Sequence, residues 1–128
     1  MNVPGDLKYA KSHEWLRVEG GVGTVGITDF AQHQLTDIVF VELPAVGARA
    51  EAGKAIAPVD SVKAVSDVYA PVNGEVIEVN EPLPDSPDLM NRSPYGEGWI
   101  LKLKMDNPAD ADKLMSAAEY KELIAAEG

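Results

Sequence analysis

From Glu14 to Met105 the chain is largely a succession of short strand-like runs punctuated by Gly and Pro, and this punctuation points to a mainly β architecture with hairpins. Glu14–Val18 alternates, with Leu16 and Val18 on one face and Trp15 and Arg17 on the other. Gly20-Gly21 supplies a turn, because glycine takes positive φ without a steric penalty, and Val22–Thr28 returns with Val25 and Ile27 as its apolar positions. Ile38–Leu43 is a dense β-branched strand that Pro44 ends, and Val46-Gly47 makes the next turn. Pro71-Val72-Asn73-Gly74 reads as a turn ahead of a strand over Glu75–Val79. The prolines at 82, 84, 87 and 94 make 80–98 an ordered loop with little ladder. Trp99–Met105 alternates again, predicting Trp99, Leu101, Leu103 and Met105 inward and Lys102 and Lys104 in water.

Helical signals are confined to two places. A short helix is predicted near 29–35, with Asp29 as its cap and Gln32 at the reciprocal position; it must pack on a sheet to persist. C-terminal helices are predicted near 108–126. Asn107 is an N-cap followed by Pro108, and Ser116-Ala-Ala-Glu119 is a capping box ahead of a stripe of Leu114, Tyr120, Leu123 and Ile124. At an offset of 51 residues Gly23-x-Val25 matches Gly74-x-Val76, Asp37-Ile38 matches Asp88-Leu89, and Gly47 matches Gly98. This is either a two-fold internal repeat or the shared glycine spacing of a turn-rich β chain. With 128 residues the whole, 1–128, is expected to be one domain, with a core over about 7–106 and a helical segment over 107–128.

The charge balance, 11 basic against 21 acidic residues for a net −10, opposes binding to nucleic-acid phosphates; such a surface usually serves solubility alone, and the sharper reading is docking on basic patches of larger partners. The absence of cysteine excludes disulfides, thiolate metal sites and a cysteine nucleophile. No run approaches the ~20 apolar residues of a membrane span, and the first residues carry neither a secretory nor a transit signal. The expectation is a soluble cytoplasmic protein, bacterial if Met1 is the true start. His13 and His33 carry no ligand spacing, so no metal site is expected. No Gly-x-Ser-x-Gly occurs, and Gly21, Gly23 and Gly26 lie in a β context that does not suit a dinucleotide site.

The segment Ala55–Pro71, AIAPVDSVKAVSDVYAP, has strand-like residues on both sides of Val62-Lys63 and no Gly or Pro between Val59 and Ala70. A turn at Val62-Lys63 places Ser61 opposite Ala64, Asp60 opposite Val65 and Val59 opposite Ser66, leaving Lys63 at a hairpin tip. A catalytic lysine needs burial or a cationic neighbour. Here the nearest charges are Asp60 and Asp67, which favour the ammonium form. Lys63 is therefore suited to being an attachment point rather than a catalyst, although a plain solvated lysine has the same local appearance.

Asp60-Ser61-Val62-Lys63-Ala64 with Ser66–Val76 resembles the lipoyl-attachment segment of the glycine cleavage H-protein family. Lys11-Ser12-His13-Glu14-Trp15, Val25–Gln32, Asp37–Pro44 and Asn91–Trp99 resemble further blocks of the same family in the same order, covering about residues 7 to 124. The resemblance implies a barrel-sandwich hybrid of two small sheets with the lysine hairpin protruding. It implies lipoate joined to Lys63 as an amide, supplying the sulfurs that the chain itself lacks. It implies a carrier, not an enzyme, that takes an aminomethyl group from a pyridoxal-phosphate glycine decarboxylase to an aminomethyltransferase. The carrier then passes electrons to dihydrolipoyl dehydrogenase. A lipoyl ligase or transferase would attach the group, and a monomer is the simplest form for such a shuttle.

The resemblance also raises Ser12, Glu14 and Asp67 as candidates for holding the loaded arm, since carboxylates would hold its ammonium; a solvated strand end is the alternative. Other carriers share the lysine. A biotin carrier is disfavoured by Val62 and Ala64, where that family places methionines. The lipoyl domain of a 2-oxoacid dehydrogenase is disfavoured by the N-terminal block and the C-terminal helices. An H-like protein that relays lipoyl groups to other proteins stays open. An unmodified acidic interaction module would leave Lys63 free.

Overall fold

The computed structural model describes residues 1–127. The Gly20-Gly21 turn closes a tight hairpin between β2 (Glu14–Glu19) and β3 (Val22–Ile27), with Glu19 opposite Val22 and Gly20 at φ 63°. The remaining strands are β1 (Lys8–Tyr9), β4 (Ile38–Val41), β5 (Arg49–Ala50), β6 (Ala55–Ser61), β7 (Val65–Tyr69), β8 (Gly74–Val79) and β9 (Leu101–Met105). They form a six-stranded sheet, β1-β2-β3-β9-β8-β5, and a three-stranded sheet, β4-β6-β7, with antiparallel pairing throughout. The two sheets are not closed into a barrel; they make an open sandwich, consistent with the two small sheets that the family resemblance implied.

The main core lies between the sheets, where Leu16, Val25, Leu101 and Leu103 pack with Ile38, Val41, Ala57, Val59 and Val68. A second, aromatic cluster of Tyr9, Trp15, Phe30, Tyr120 and Ile124 lies under the C-terminal helix. Strand β2 therefore buries both faces. Trp15 is fully buried in the second cluster, while Val18, on the Leu16 face, is exposed near the hairpin end. Trp15 is seated by a hydrogen bond from Nε1 to Pro94 O (2.9 Å) and lies over Gly26, where an added Cβ would come within 2.6 Å of the indole.

Three local expectations are corrected. Trp99 does not join the inward row: Leu101, Leu103 and Met105 are buried, but Trp99 is half-buried and Ile100 takes the interior place. The alternation holds only inside the ladder, which starts at Leu101. The helix α1 (Asp29–Leu35) is capped by Thr28, not Asp29, with Ala31 N donating to Thr28 Oγ1 (3.1 Å). Asp29 instead accepts from Gln32 Nε2 (2.7 Å) and Asn2 N (2.9 Å). Asn107 caps a 3-10 segment (Pro108–Lys113) rather than an α-helix. The loop over 80–98 contains a 3-10 turn (Leu83–Asp85) and one helical turn, α2 (Leu89–Arg92), with Leu83 and Met90 buried.

The capping box forms as predicted, Glu119 N donating to Ser116 Oγ (3.2 Å) and Ser116 N to Glu119 Oε1 (3.0 Å), ahead of α3 (Ala117–Glu127). In the offset repeat, Gly23 and Gly74 flank β9 from opposite sides, but Ile38 opens a strand where Leu89 opens a helix. No helix among the described residues is long and apolar enough to cross a membrane.

Candidate functional site

The β6–β7 hairpin turns at Val62-Lys63 in the predicted register, Asp60 opposite Val65 and Val59 opposite Ser66. The turn is held from inside by Ser61, whose N donates to Ala64 O (2.8 Å) and whose Oγ accepts from Lys63 N (3.2 Å) and Ala64 N (3.0 Å). It is held from outside by Asp37, whose carbonyl accepts from Val62 N (3.0 Å). Lys63 is exposed, and its neighbours Val62 and Val65 are 66% and 85% exposed. The backbone of the tip is thus fixed while the lysine side chain stands in solvent. Ser61 was recognised from sequence only as the partner of Ala64; a hydroxyl two residues ahead of a turn residue is the signal for its further role.

A cavity of about 330 Å³ opens beside the hairpin, between β7, the start of β2 and α1. Ser12, Glu14 and Asp67, far apart in sequence, all line it. Its apolar wall is Ile27, Phe30, Leu35, Val59 and Val68. Glu14 is only 2% exposed. Its Oε1 accepts the Ser12 hydroxyl, and its Oε2 accepts from Tyr69 N of β7 (3.2 Å), so one carboxyl joins the large sheet to the lysine hairpin. Burial pushes the Glu14 carboxyl up to about 7, against the smaller opposing effect of these hydrogen bonds. Asp67 lies on the exposed rim.

His13 and Glu127 also line the cavity and were not recognised as part of it from sequence. His13 adopts φ 75°, and its ring reaches Tyr120 Oη (2.8 Å) and Glu127 Oε1 (3.3 Å), both on α3. Tyr120 Oη also pairs with Thr28 Oγ1 (2.6 Å). Burial raises the Tyr120 phenol, so it stays neutral as the hinge of this network. No local pattern announces these contacts, because α3 lies at the far end of the chain.

An exposed amine on a fixed turn beside a cavity that is apolar on one wall and acidic on the other is a setting for a tethered, partly apolar, cationic group. The model of the glycine cleavage H-protein family matches residues 7–127. The chain belongs to that family. It is 60% identical over 119 residues to the glycine cleavage system H protein of Symbiobacterium thermophilum, covering 93% of each chain. It is 52% identical over 119 residues to a probable glycine cleavage system H protein of Aeropyrum pernix, covering 93% of this chain and 83% of that one. The crystal structure of a glycine cleavage system H protein from Mycobacterium marinum superposes with a TM-score of 0.88 at 37% identity, covering 96% of this chain and 99% of that one. Membership of the family agrees with the open β-sandwich and with the block order read from the sequence.

Proposed function

We propose that this protein, acting as one cytoplasmic domain, is the lipoyl carrier of a glycine cleavage system, with lipoate joined to the Lys63 amine as an amide. The observation that carries this reading is Lys63 itself: a free side chain on a turn whose backbone is tied by Ser61 and Asp37, in a family member matched over 7–127. When attached, the group supplies a disulfide that accepts the aminomethyl unit of glycine and is later reoxidised from the dithiol.

The chain's own residues then have separable tasks. Lys63 provides reach. Ser66, near the start of β7, is three residues from Lys63 and thus at most on the order of 10 Å away, so the cavity mouth lies within the span of a long acyl-lysine arm. Ile27, Phe30, Val59 and Val68 take apolar chain out of water. Glu14, ionised, meets a cationic amine in a low-dielectric setting where the attraction is stronger than in solvent, with Ser12 as a further polar contact and Asp67 at the rim. None of these groups needs to perform bond chemistry, so the protein is a substrate and carrier for its enzymes, not a catalyst. The partners are a pyridoxal-phosphate glycine decarboxylase, an aminomethyltransferase, dihydrolipoyl dehydrogenase and a lipoyl ligase or transferase. The net charge of −10 favours rapid, salt-sensitive encounters of a monomer with basic surfaces on them.

The test is an intact mass after incubation with lipoyl ligase, lipoate and ATP. Wild type should gain about 188 Da and Lys63→Ala nothing, the modification being one that the sequence does not display. An unchanged wild-type mass rejects the reading. Glycine–bicarbonate exchange with glycine decarboxylase should then follow lipoylation and vanish in Lys63→Arg. A lipoylated protein inactive in exchange would favour the relay role instead.

A further inference from the structure

The lysine turn is held from outside by Asp37 O, and Asp37 lies just ahead of β4, beyond its last paired residue. The pairing of β4 with β6 shifts register between Ile38 and Phe40, an irregularity at the start of the strand. Thr36, just before it, stands at φ 63°, ψ −144°. This lies close to a backbone region that is essentially restricted to glycine, and a β-branched residue persists there only when its surroundings impose it.

The imposing group is Asn91, on α2. Its Oδ1 accepts from Ile38 N (2.9 Å), and its Nδ2 donates to Thr36 O (2.7 Å) and to Gln32 Oε1 (3.0 Å). The side chain therefore grips the backbone on both sides of Asp37, and Asp37 O in turn accepts from Val62 N (3.0 Å), the residue before Lys63. Three hydrogen bonds thus connect α2 to the tip of the hairpin through the backbone of residues 36–38, and the bond to Gln32 ties the same side chain to α1.

We infer that Asn91 is a positioning residue for the modification of Lys63: it clamps the strained Thr36–Ile38 turn so that the lysine tip is presented in one conformation to the modifying enzyme. This rests on the proposed lipoyl attachment. An enzyme that accepts only the ordered tip binds a partly ordered population more weakly, in proportion to the competent fraction, while the chemistry after binding is unaffected. The clamp therefore acts on the KM for the protein substrate rather than on kcat.

The test compares the unlipoylated full-length wild type with Asn91→Leu, which keeps the branching at Cγ and removes all three hydrogen bonds, and with Asn91→Leu combined with Thr36→Gly. Thr36→Gly lets the turn adopt its backbone angles without the clamp. With lipoyl ligase, lipoate and ATP, Asn91→Leu should raise the KM for the protein about tenfold and leave kcat within about twofold; the double variant should recover part of the loss. Amide hydrogen exchange on the same unmodified proteins should show Val62 exchanging faster in Asn91→Leu, with Val25 and Leu103 unchanged. A KM and a Val62 exchange rate like those of wild type would overturn the inference, and so would equal acceleration of Val62, Val25 and Leu103, which would mean general destabilisation. A wild type that accepts no lipoyl group rejects the proposed function instead, and the exchange comparison then still decides whether Asn91 orders the tip.

Discussion

At the tip of the β6–β7 hairpin the backbone is tied and the side chain is free; in the cavity beside it the side chain is tied and taken out of water. Lys63 is exposed on a turn held by Ser61 and Asp37. Glu14 is buried, with both carboxyl oxygens engaged by Ser12 and Tyr69. The two arrangements have opposite energetic signatures. An exposed ammonium keeps its hydration and contributes little to folding, whereas a buried carboxyl resists ionisation and makes stability depend on pH. In the proposed carrier the first arrangement supplies reach and the second supplies a protected resting place. They are joined at Tyr69 N, which belongs to the hairpin and donates to Glu14.

The contrast can be broken most forcefully from the cavity side. In Gly26→Ala the new methyl meets the indole of fully buried Trp15, the neighbour of Glu14, with no solvent side to yield into. A loss of about 2–3 kcal/mol is expected in urea unfolding, while the extent of Lys63 lipoylation after prolonged incubation with ligase stays that of wild type.

Glu14→Gln tests the buried carboxyl itself. Below about pH 4.5 folded and unfolded chains both hold the Glu14 proton. Between there and about 7 only the folded state keeps it, so the folded state binds more protons and this group lowers stability as pH rises; above 7 the penalty is constant. The full penalty is about 3 kcal/mol by linkage. The amide can accept from Tyr69 N and donate to Ser12 Oγ, so Glu14→Gln should be more stable than wild type at pH 8, by on the order of 2 kcal/mol. At pH 4 the two should be equal. Urea curves at pH 4, 6 and 8 give the difference directly; a gap that does not grow with pH would show that burial does not govern this carboxyl. If Glu14 holds the loaded arm, the same variant also shortens the lifetime of the loaded protein in water.

Two smaller effects belong to the tip. Ser61→Ala removes the acceptor of Lys63 N and Ala64 N and should cost about 1 kcal/mol, with faster amide exchange confined to 62–64. Lys63→Arg should change unfolding free energy by less than about 0.5 kcal/mol although it abolishes the mass gain. A larger change would mean that the lysine side chain is part of the fold and would remove the basis of the comparison.

Much of this was legible in the sequence wherever the signal spans only a few residues. Gly20-Gly21, the Val62-Lys63 turn with its strand register, Asn107 as a cap and the Ser116–Glu119 box all form where local chemistry puts them. The misreadings share one cause. Thr28 and Asp29 are adjacent residues with equally suitable capping oxygens. Tertiary partners decide between them, Tyr120 fixing the Thr28 hydroxyl and Asn2 and Gln32 engaging Asp29. The alternation of β2 left open whether the Trp15 face is covered; α3 and the N-terminal segment cover it. Trp99 precedes the ladder whose alternation was extended to it.

By itself the sequence determined a mainly β chain and a lone lysine at a hairpin tip, because periodicity and turn chemistry act between near neighbours; the family came separately, from the resemblance of its ordered blocks. The tertiary structure alone decided that Ser12, Glu14, Asp67 and Glu127 share a cavity, that Glu14 resists ionisation, and that Asn91 reaches the turn supporting Lys63. Desolvation depends on everything packed around a group, and a hydrogen bond between remote segments leaves no mark on the spacing of either.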